Sequence, residues 1–372
     1  MEFLLLATFG QVMKYIGYVL IAVLILLVMI TVHELGHYIA GKIFGFGIEE
    51  FSIGFGPKLY QKQKKNGELF SLRLLPLGGF CGFKGEDASS DDPTAFNNKK
   101  PWQRMIVLVS GALMNYVTAL LIIMLMFGIY GQTAFKLAYI NPDPAYTNEY
   151  SLQVGDVVTK IDGKNIYLTT DMMRALDGKD KDELVPFTVI RDGQTLNLSI
   201  KLRSNVDLKN VEDLKPVYLA LGAYKADADG EIVGYGIAST FVRFGFFQTI
   251  GRGFEYSFKL AGTIFTVLGQ LLTGKLGIGA MGGTITTIAV TADAIMVGGF
   301  KYLLYISSFI GVNLAVFNLL PFPALDGARV IFCAIEWIFK KPVNRKVEAI
   351  IHTVGLVLLL VFAVLVDLQR CF

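Results

Sequence analysis

Tyr15-Ile16-Gly17-Tyr18-Val19-Leu20-Ile21-Ala22-Val23-Leu24-Ile25-Leu26-Leu27-Val28-Met29-Ile30-Thr31-Val32-His33-Glu34-Leu35-Gly36-His37 is the stretch on which the reading of the chain turns. From Tyr15 to Thr31 it carries no charge and outlasts the apolar core of a cleaved signal peptide, which makes it a retained transmembrane helix. That helix, roughly 13–41, runs directly into His-Glu-x-x-His. Helix positions i and i+4 share a face, so the imidazoles of His33 and His37 point at one metal ion. Glu34, beside the first His, then reaches a water on that metal as general base, and zinc brings such a water's pKa to about 7. The competing reading is a chance pair on a solvated helix. Against it, His33 lies nine residues ahead of the first flanking cation, Lys42, or roughly 13 Å along the axis. Ionisable groups at that depth are costly and mark function.

Composition agrees with a membrane chain. Its 372 residues are 53% hydrophobic and only 17% charged, with a mean hydropathy of +0.52. A net charge of +3 without a basic stripe excludes a nucleic-acid binder. Cys81, Cys333 and Cys371 lie far apart with no CxxC pair, so they build neither a disulfide framework nor a thiolate zinc site and read as packing residues. Residues 104–130, 301–321 and 347–367 also reach spanning length, which gives about four transmembrane helices. Two more apolar stretches, 254–272 and 284–300, are broken by Gly and Thr or flanked by charge, and read as interfacial or re-entrant.

Basic residues orient the spans. Lys42, Lys58, Lys62, Lys64, Lys65, Arg73, Lys84, Lys99 and Lys100 fill the first interspan loop, and Arg329, Lys340, Lys341, Arg345 and Lys346 fill the last. The positive-inside rule puts both loops in the cytoplasm, and both termini and the long middle segment outside. Within that segment, residues 131–204 read as a small α+β domain. Strand-like runs at 156–161 and 187–191 end in Asp162-Gly163 and Asp192-Gly193, which are hairpin turn signals. Thr170 to Leu176 between them reads as a short helix. Val217–Ala223 and Glu231–Ile237 are further candidate strands.

Two imidazoles leave a catalytic zinc one protein ligand short. His352 opens the last span; the better candidate is Asp326, in Asn318-Leu319-Leu320-Pro321-Phe322-Pro323-Ala324-Leu325-Asp326-Gly327. Pro321 and Pro323 break the third span there, and irregular backbone at membrane depth is tolerated where it lines protein or a wet cavity. The competing role for Asp326 is a helix cap.

HELGH at 33–37 and Asn318–Gly327, which matches NxxPxPxLDG, resemble the bacterial site-2 proteases, intramembrane zinc metalloproteases that carry a PDZ domain. Leu75-Pro76-Leu77-Gly78-Gly79-Phe80 and Lys100-Pro101-Trp102-Gln103-Arg104 extend the resemblance. It implies that His33, His37 and Asp326 bind zinc and that Glu34 is the base. It implies that residues 70–85 form a membrane-associated β-hairpin loop whose edge, around Gly78, Gly79 and Phe80, pairs with an unwound substrate, and that Asn318 contacts substrate backbone. Residues 131–204, with Val154-Gly155-Asp156-Val157-Val158 and Ile161-Asp162-Gly163-Lys164, resemble a PDZ domain, which implies a size filter for trimmed substrates. The implied activity is cleavage, in the bacterial plasma membrane, of pre-trimmed single-span proteins such as anti-sigma factors and signal-peptide remnants. The competing class is a non-catalytic PDZ-bearing scaffold, which has no use for ionisable groups at membrane depth. Two departures stand out. The usual Gly-Pro step in the second span reads Gly111-Ala112, leaving Asn115 as a polar bridge between spans, the favoured role, or a site residue, and the usual LGGP reads Met281-Gly282-Gly283-Thr284. The expected layout is 1–44 first span, 45–103 hairpin loop, 104–130 second span, 131–240 PDZ-like domain, 241–300 interfacial segment, 301–346 third span with the Asp motif, and 347–372 last span and tail.

Overall fold

The computed structural model describes residues 9–86, 90–148, 151–208, 214–227, 229, 231–277 and 282–369. In chain order it forms α1 (Phe9–Ile43), β1 (Ile48–Gln63), β2 (Leu69–Phe83), α2 (Pro101–Ile129), β3 (Gln132–Leu137), β4 (Val157–Ile161), β5 (Lys164–Asn165) and α3 (Thr169–Leu176). There follow β6 (Leu184–Arg191), β7 (Gln194–Lys201), α4 (Lys215–Leu221), β8 (Tyr224–Ala226), β9 (Ile232–Tyr235) and β10 (Ile237–Val242). The chain closes with α5 (Phe246–Leu272), α6 (Thr284–Asn318), α7 (Asp326–Phe339) and α8 (Arg345–Gln369). The chain divides into one unit built from residues before Phe127 and after Thr249, and a second unit, Phe127–Thr249.

In the first unit α1, α2, α6 and α8 are, among the described residues, the four helices long and apolar enough to cross a membrane. They carry exposed apolar faces, Leu20, Leu24 and Val28 on α1 and Leu358, Val361 and Leu365 on α8 among them, as helices facing lipid do. The stretch 284–300 and the third span adjoin within α6 as two helical segments, separated by a break at Gly299. That residue has φ 61 and ψ −148, a conformation open essentially to Gly alone. α6 ends at Asn318, ahead of Pro321, as a proline-broken span must. The stretch 254–272 lies in α5, which buries Tyr256, Ser257, Leu260 and Ile264 and exposes Phe254, Phe258 and Phe265 on its other face. A hydrogen bond of 2.7 Å between Tyr116 Oη and Ser257 Oγ ties it to α2.

The β1–β2 hairpin is longer than the 70–85 expected, and it is curled. Phe51 pairs with both Phe70 and Cys81, and Ser52 with both Ser71 and Phe80. The first half of β1 therefore lies between the two halves of β2, and Gly54 and Gly56, at φ 86 and 82, let β1 fold back. Phe46, Ile48, Phe51, Phe83 and Phe96 form its core with Ala40, Val107 and Cys333. Leu59, Tyr60, Leu74, Leu75 and Leu77 face outward, an apolar surface suited to the membrane interface.

The second unit is a sheet in the order β10-β3-β4-β6-β7, with β5 beside β4. Asp162-Gly163 joins β4 to β5 and Asp192-Gly193 joins β6 to β7, both as two-residue turns. Their φ values, 49 and 74, then 48 and 80, are all positive, as the tight turns that match strand twist require. Buried Asp156 grips Arg191 through both carboxylate oxygens, at 2.7 and 2.8 Å. Val217–Ala223 is not a strand: Pro216 starts and Gly222 (φ 67) ends α4 across it. Glu231–Ile237 does supply strand, β9 and the start of β10, and β10 pairs along the whole of β3. The core expected at 131–204 accordingly continues through Val217, Ala220 and Leu221.

Candidate metal centre

α1 carries His33 and His37 on one buried face with Met29, Gly36 and Ala40. Gly36 makes the crossing with α2 possible, since a Cβ there would stand 2.3 Å from the Ser110 carbonyl oxygen. Gly111, next along α2, sits under both imidazoles: its Cβ would be 2.4 Å from His37 Nε2 and 2.8 Å from His33 Cε1. Asp326 arrives from the other side, as the first residue of α7, after the chain leaves α6 through Pro321 and Pro323. Its loop folds tightly enough that a Cβ at Gly327 would meet the Leu320 and Leu319 carbonyl oxygens at 2.3 and 2.4 Å.

His33 Nε2 lies 2.9 Å from Asp326 Oδ2, His37 Nε2 lies 3.3 Å from the same oxygen, and the two Nε2 atoms are 3.1 Å apart. Donors held 2.0–2.1 Å from a tetrahedral ion stand about 3.3–3.4 Å apart, so this triangle is close to the face of a zinc tetrahedron. The tautomer of His37 agrees with that chemistry. His37 Nδ1 lies 2.8 Å from the Val107 carbonyl oxygen, which accepts the ring proton and leaves Nε2 as a lone-pair donor. The Asn318 amide lies 3.4 Å from His33 Nδ1, so the sequence-expected substrate contact is also a partner of the first imidazole. Among the described residues these three side chains are the group of His, Cys, Asp or Glu placed to hold a metal ion. His352 does not join them; its Nδ1 accepts from the Ala324 backbone N–H.

Glu34, next to His33 on α1, reaches β2, where its Oε2 accepts the Cys81 N–H at 2.9 Å. Gly79 lies beside it, its Cβ position 3.6 Å from Glu34 Cγ. Phe80 stacks on Phe55 at 6.4 Å between ring centroids and receives Arg73 over its face. Arg329, one turn into α7, pairs with Glu86 just beyond β2, so the helix that opens with Asp326 is tied to the hairpin. Cys81 and Cys333 take no part. Burial, then the neighbouring Glu34 charge, pushes the Cys81 thiol well up, and burial pushes Cys333 up to about 11, which suits buried packing residues. Cys371 lies outside the described residues.

Asn115 departs from expectation. It is wholly buried on α2, and neither side-chain polar atom has a hydrogen-bond partner among the described residues, so it makes no polar bridge there. Small residues bring the spans together instead, with Gly311 of α6 against Ala119 and the Asn115 carbonyl. In the sequence Gly111 shows only as the remnant of a motif; its steric role is betrayed by nothing but its lack of a side chain.

Membrane-spanning helices around a converging His-His-Asp group and a nearby Glu define a class, the membrane-embedded metallohydrolases. The comparisons narrow it. Residues 21–362 match the model of peptidase family M50, and the chain belongs to that family, the site-2 proteases. A provisionally named zinc metalloprotease of Clostridium perfringens is 35% identical over 354 residues, 95% of this chain and 98% of its own. Similarly named proteins of Fusobacterium nucleatum and Clostridium acetobutylicum are 30% and 29% identical, covering 94% of this chain and 97% and 96% of theirs. The chain is thus a site-2-type metalloprotease and an integral membrane protein.

Proposed function

We propose that His33, His37 and Asp326 hold a zinc ion, that Glu34 is the general base, and that the enzyme hydrolyses peptide bonds of substrate segments within the membrane. The observation that carries this reading is the convergence of three ligand atoms from α1 and α7, 2.9–3.3 Å apart, on one oxygen of Asp326 and two imidazole nitrogens. Zinc supplies the Lewis acidity that makes water nucleophilic near neutral pH. Glu34 takes the proton from the attacking water and returns it to the leaving amine. Its bond to Cys81 N–H aims the carboxylate and holds it beside the β2 edge. A substrate helix hides its amides, so the cut segment must first unwind; the edge at Gly78, Gly79 and Phe80 pairs with its freed backbone, and Asn318 adds a contact. Gly79 lies next to Glu34, its Cβ position 3.6 Å from Glu34 Cγ, so this edge stands beside the base, which supports the pairing.

The substrates on this reading are single-span proteins already trimmed outside the membrane, anti-sigma factors and signal-peptide remnants in type. The second unit, PDZ-like, stands on the extracytoplasmic side with both termini, and the metal centre near the cytoplasmic face of the bacterial plasma membrane, following the basic loops. A cavity of about 150 Å³ lined by Met172, Tyr218, Phe135 and Ile237 lies beside the sheet-edge strand β10, which supports capture of an extended peptide there.

Glu34→Gln tests the base. The variant is expected to bind zinc as the parent does and to lower cleavage of a trimmed single-span reporter in liposomes by at least about a thousandfold. Undiminished cleavage would remove Glu34 from the chemistry.

A further inference from the structure

His352, the third histidine, is not a ligand, yet the fold gives it a defined partner next to one. Its Nδ1 lies 3.0 Å from the backbone nitrogen of Ala324. A backbone N–H only donates, so Nδ1 is the acceptor and the ring is neutral, with its proton on Nε2. Ala324 needs such a partner. It holds φ 80, in the left-handed region where side chains other than Gly, Asn and Asp are rare, two residues before Asp326. α8 presses on the same loop, for a Cβ at Gly355, one turn after His352, would stand 2.3 Å from Pro323 Cβ. The imidazole also lies edge-on to Phe332 of α7, 5.8 Å between centroids, so it touches both the loop and the helix that Asp326 begins.

We propose that His352 is a positioning residue for the third ligand: by accepting the Ala324 N–H it clamps the left-handed loop that delivers Asp326 Oδ2 to His33 and His37. This rests on the proposal that Asp326 binds the metal. α8 is then a buttress of the metal centre rather than a lipid-facing anchor alone. Outer-shell groups that orient a ligand typically change metal affinity by 10–100-fold.

Metal affinity of the full chain in detergent, titrated with zinc and followed with cobalt(II) by its visible absorption, tests this against apo-protein thermal unfolding. His352→Leu keeps the volume and loses the acceptor, so zinc should bind about tenfold or more weakly, with an altered cobalt spectrum. His352→Asn places its amide oxygen where Nδ1 stood and should restore affinity to within about threefold of the parent. His352→Gln, whose oxygen lies one bond farther out, should follow Leu, and the Asn and Gln pair carries the test if the Leu chain does not fold. Parental affinity in Leu and Gln, or equal losses in Asn and Gln that track unfolding temperature, would overturn the proposal. Asp326→Ala separates the two readings: full zinc binding by that variant would overturn the ligand assignment itself, whereas loss there beside parental affinity in Leu would overturn only the clamp.

Discussion

Gly111 shows how little space the metal centre leaves. Real side chains do not approach a neighbour as closely as the 2.4 Å that a Cβ at this position would have to His37 Nε2. Gly111→Ala must therefore push an imidazole off the convergence point, and zinc affinity is expected to fall at least about tenfold, with hydrolysis falling alongside it. Gly128→Ala on the same helix, where an added Cβ meets nothing, is the control and should leave zinc content unchanged. Elemental analysis after equilibration at fixed free zinc distinguishes the two; equal zinc in Gly111→Ala and the parent would refute the steric account. At this scale the meeting of His33, His37 and Asp326 was legible because their chemistry is written in residue type and spacing. The partners of Asn318 and Asn115 were not, because an amide names none: Asn318 lies against His33, and Asn115 makes no side-chain bond among the described residues.

Among the elements, an ion network fixes α7 to its neighbours. Arg104 near the start of α2 is wholly buried and meets Glu336 of α7 at 2.6 Å, while Arg345 at the start of α8 reaches Glu336 at 3.3 Å and Glu348 at 3.0 Å. Removing one partner of such a pair strands a buried charge, which costs about 3–5 kcal/mol. Glu336→Gln should therefore destabilise the helical unit by about 3 kcal/mol in reversible unfolding, and Arg104→Met should recover part of that loss in the double variant. A change below about 1 kcal/mol for Glu336→Gln would show that solvent, not Glu336, balances Arg104. The tight turns were readable because Asp-Gly supplies the positive φ they need. Val217–Ala223 misled because a short apolar run has no period of its own; Pro216 and Gly222, which delimit α4, were the better signal. The glycine pair Gly298-Gly299 marks the break between 284–300 and the third span, and whether such a pair ends a helix or kinks it is not written in the sequence.

For the whole molecule, hydropathy and length were enough to count four spans, because the bilayer imposes both. What they leave open is which faces meet, and that is decided by glycines at crossings and by the loop that returns Asp326 to α1. The proposed hydrolysis requires one zinc held by two imidazoles and a carboxylate drawn from distant parts of the chain. Zinc K-edge X-ray absorption on the purified full chain tests this most directly. One zinc per chain, with two imidazoles and the remaining donors oxygen at about 2.0–2.1 Å, is the expected result. A third imidazole, a sulfur donor near 2.3 Å, or a protein that retains no zinc would contradict it.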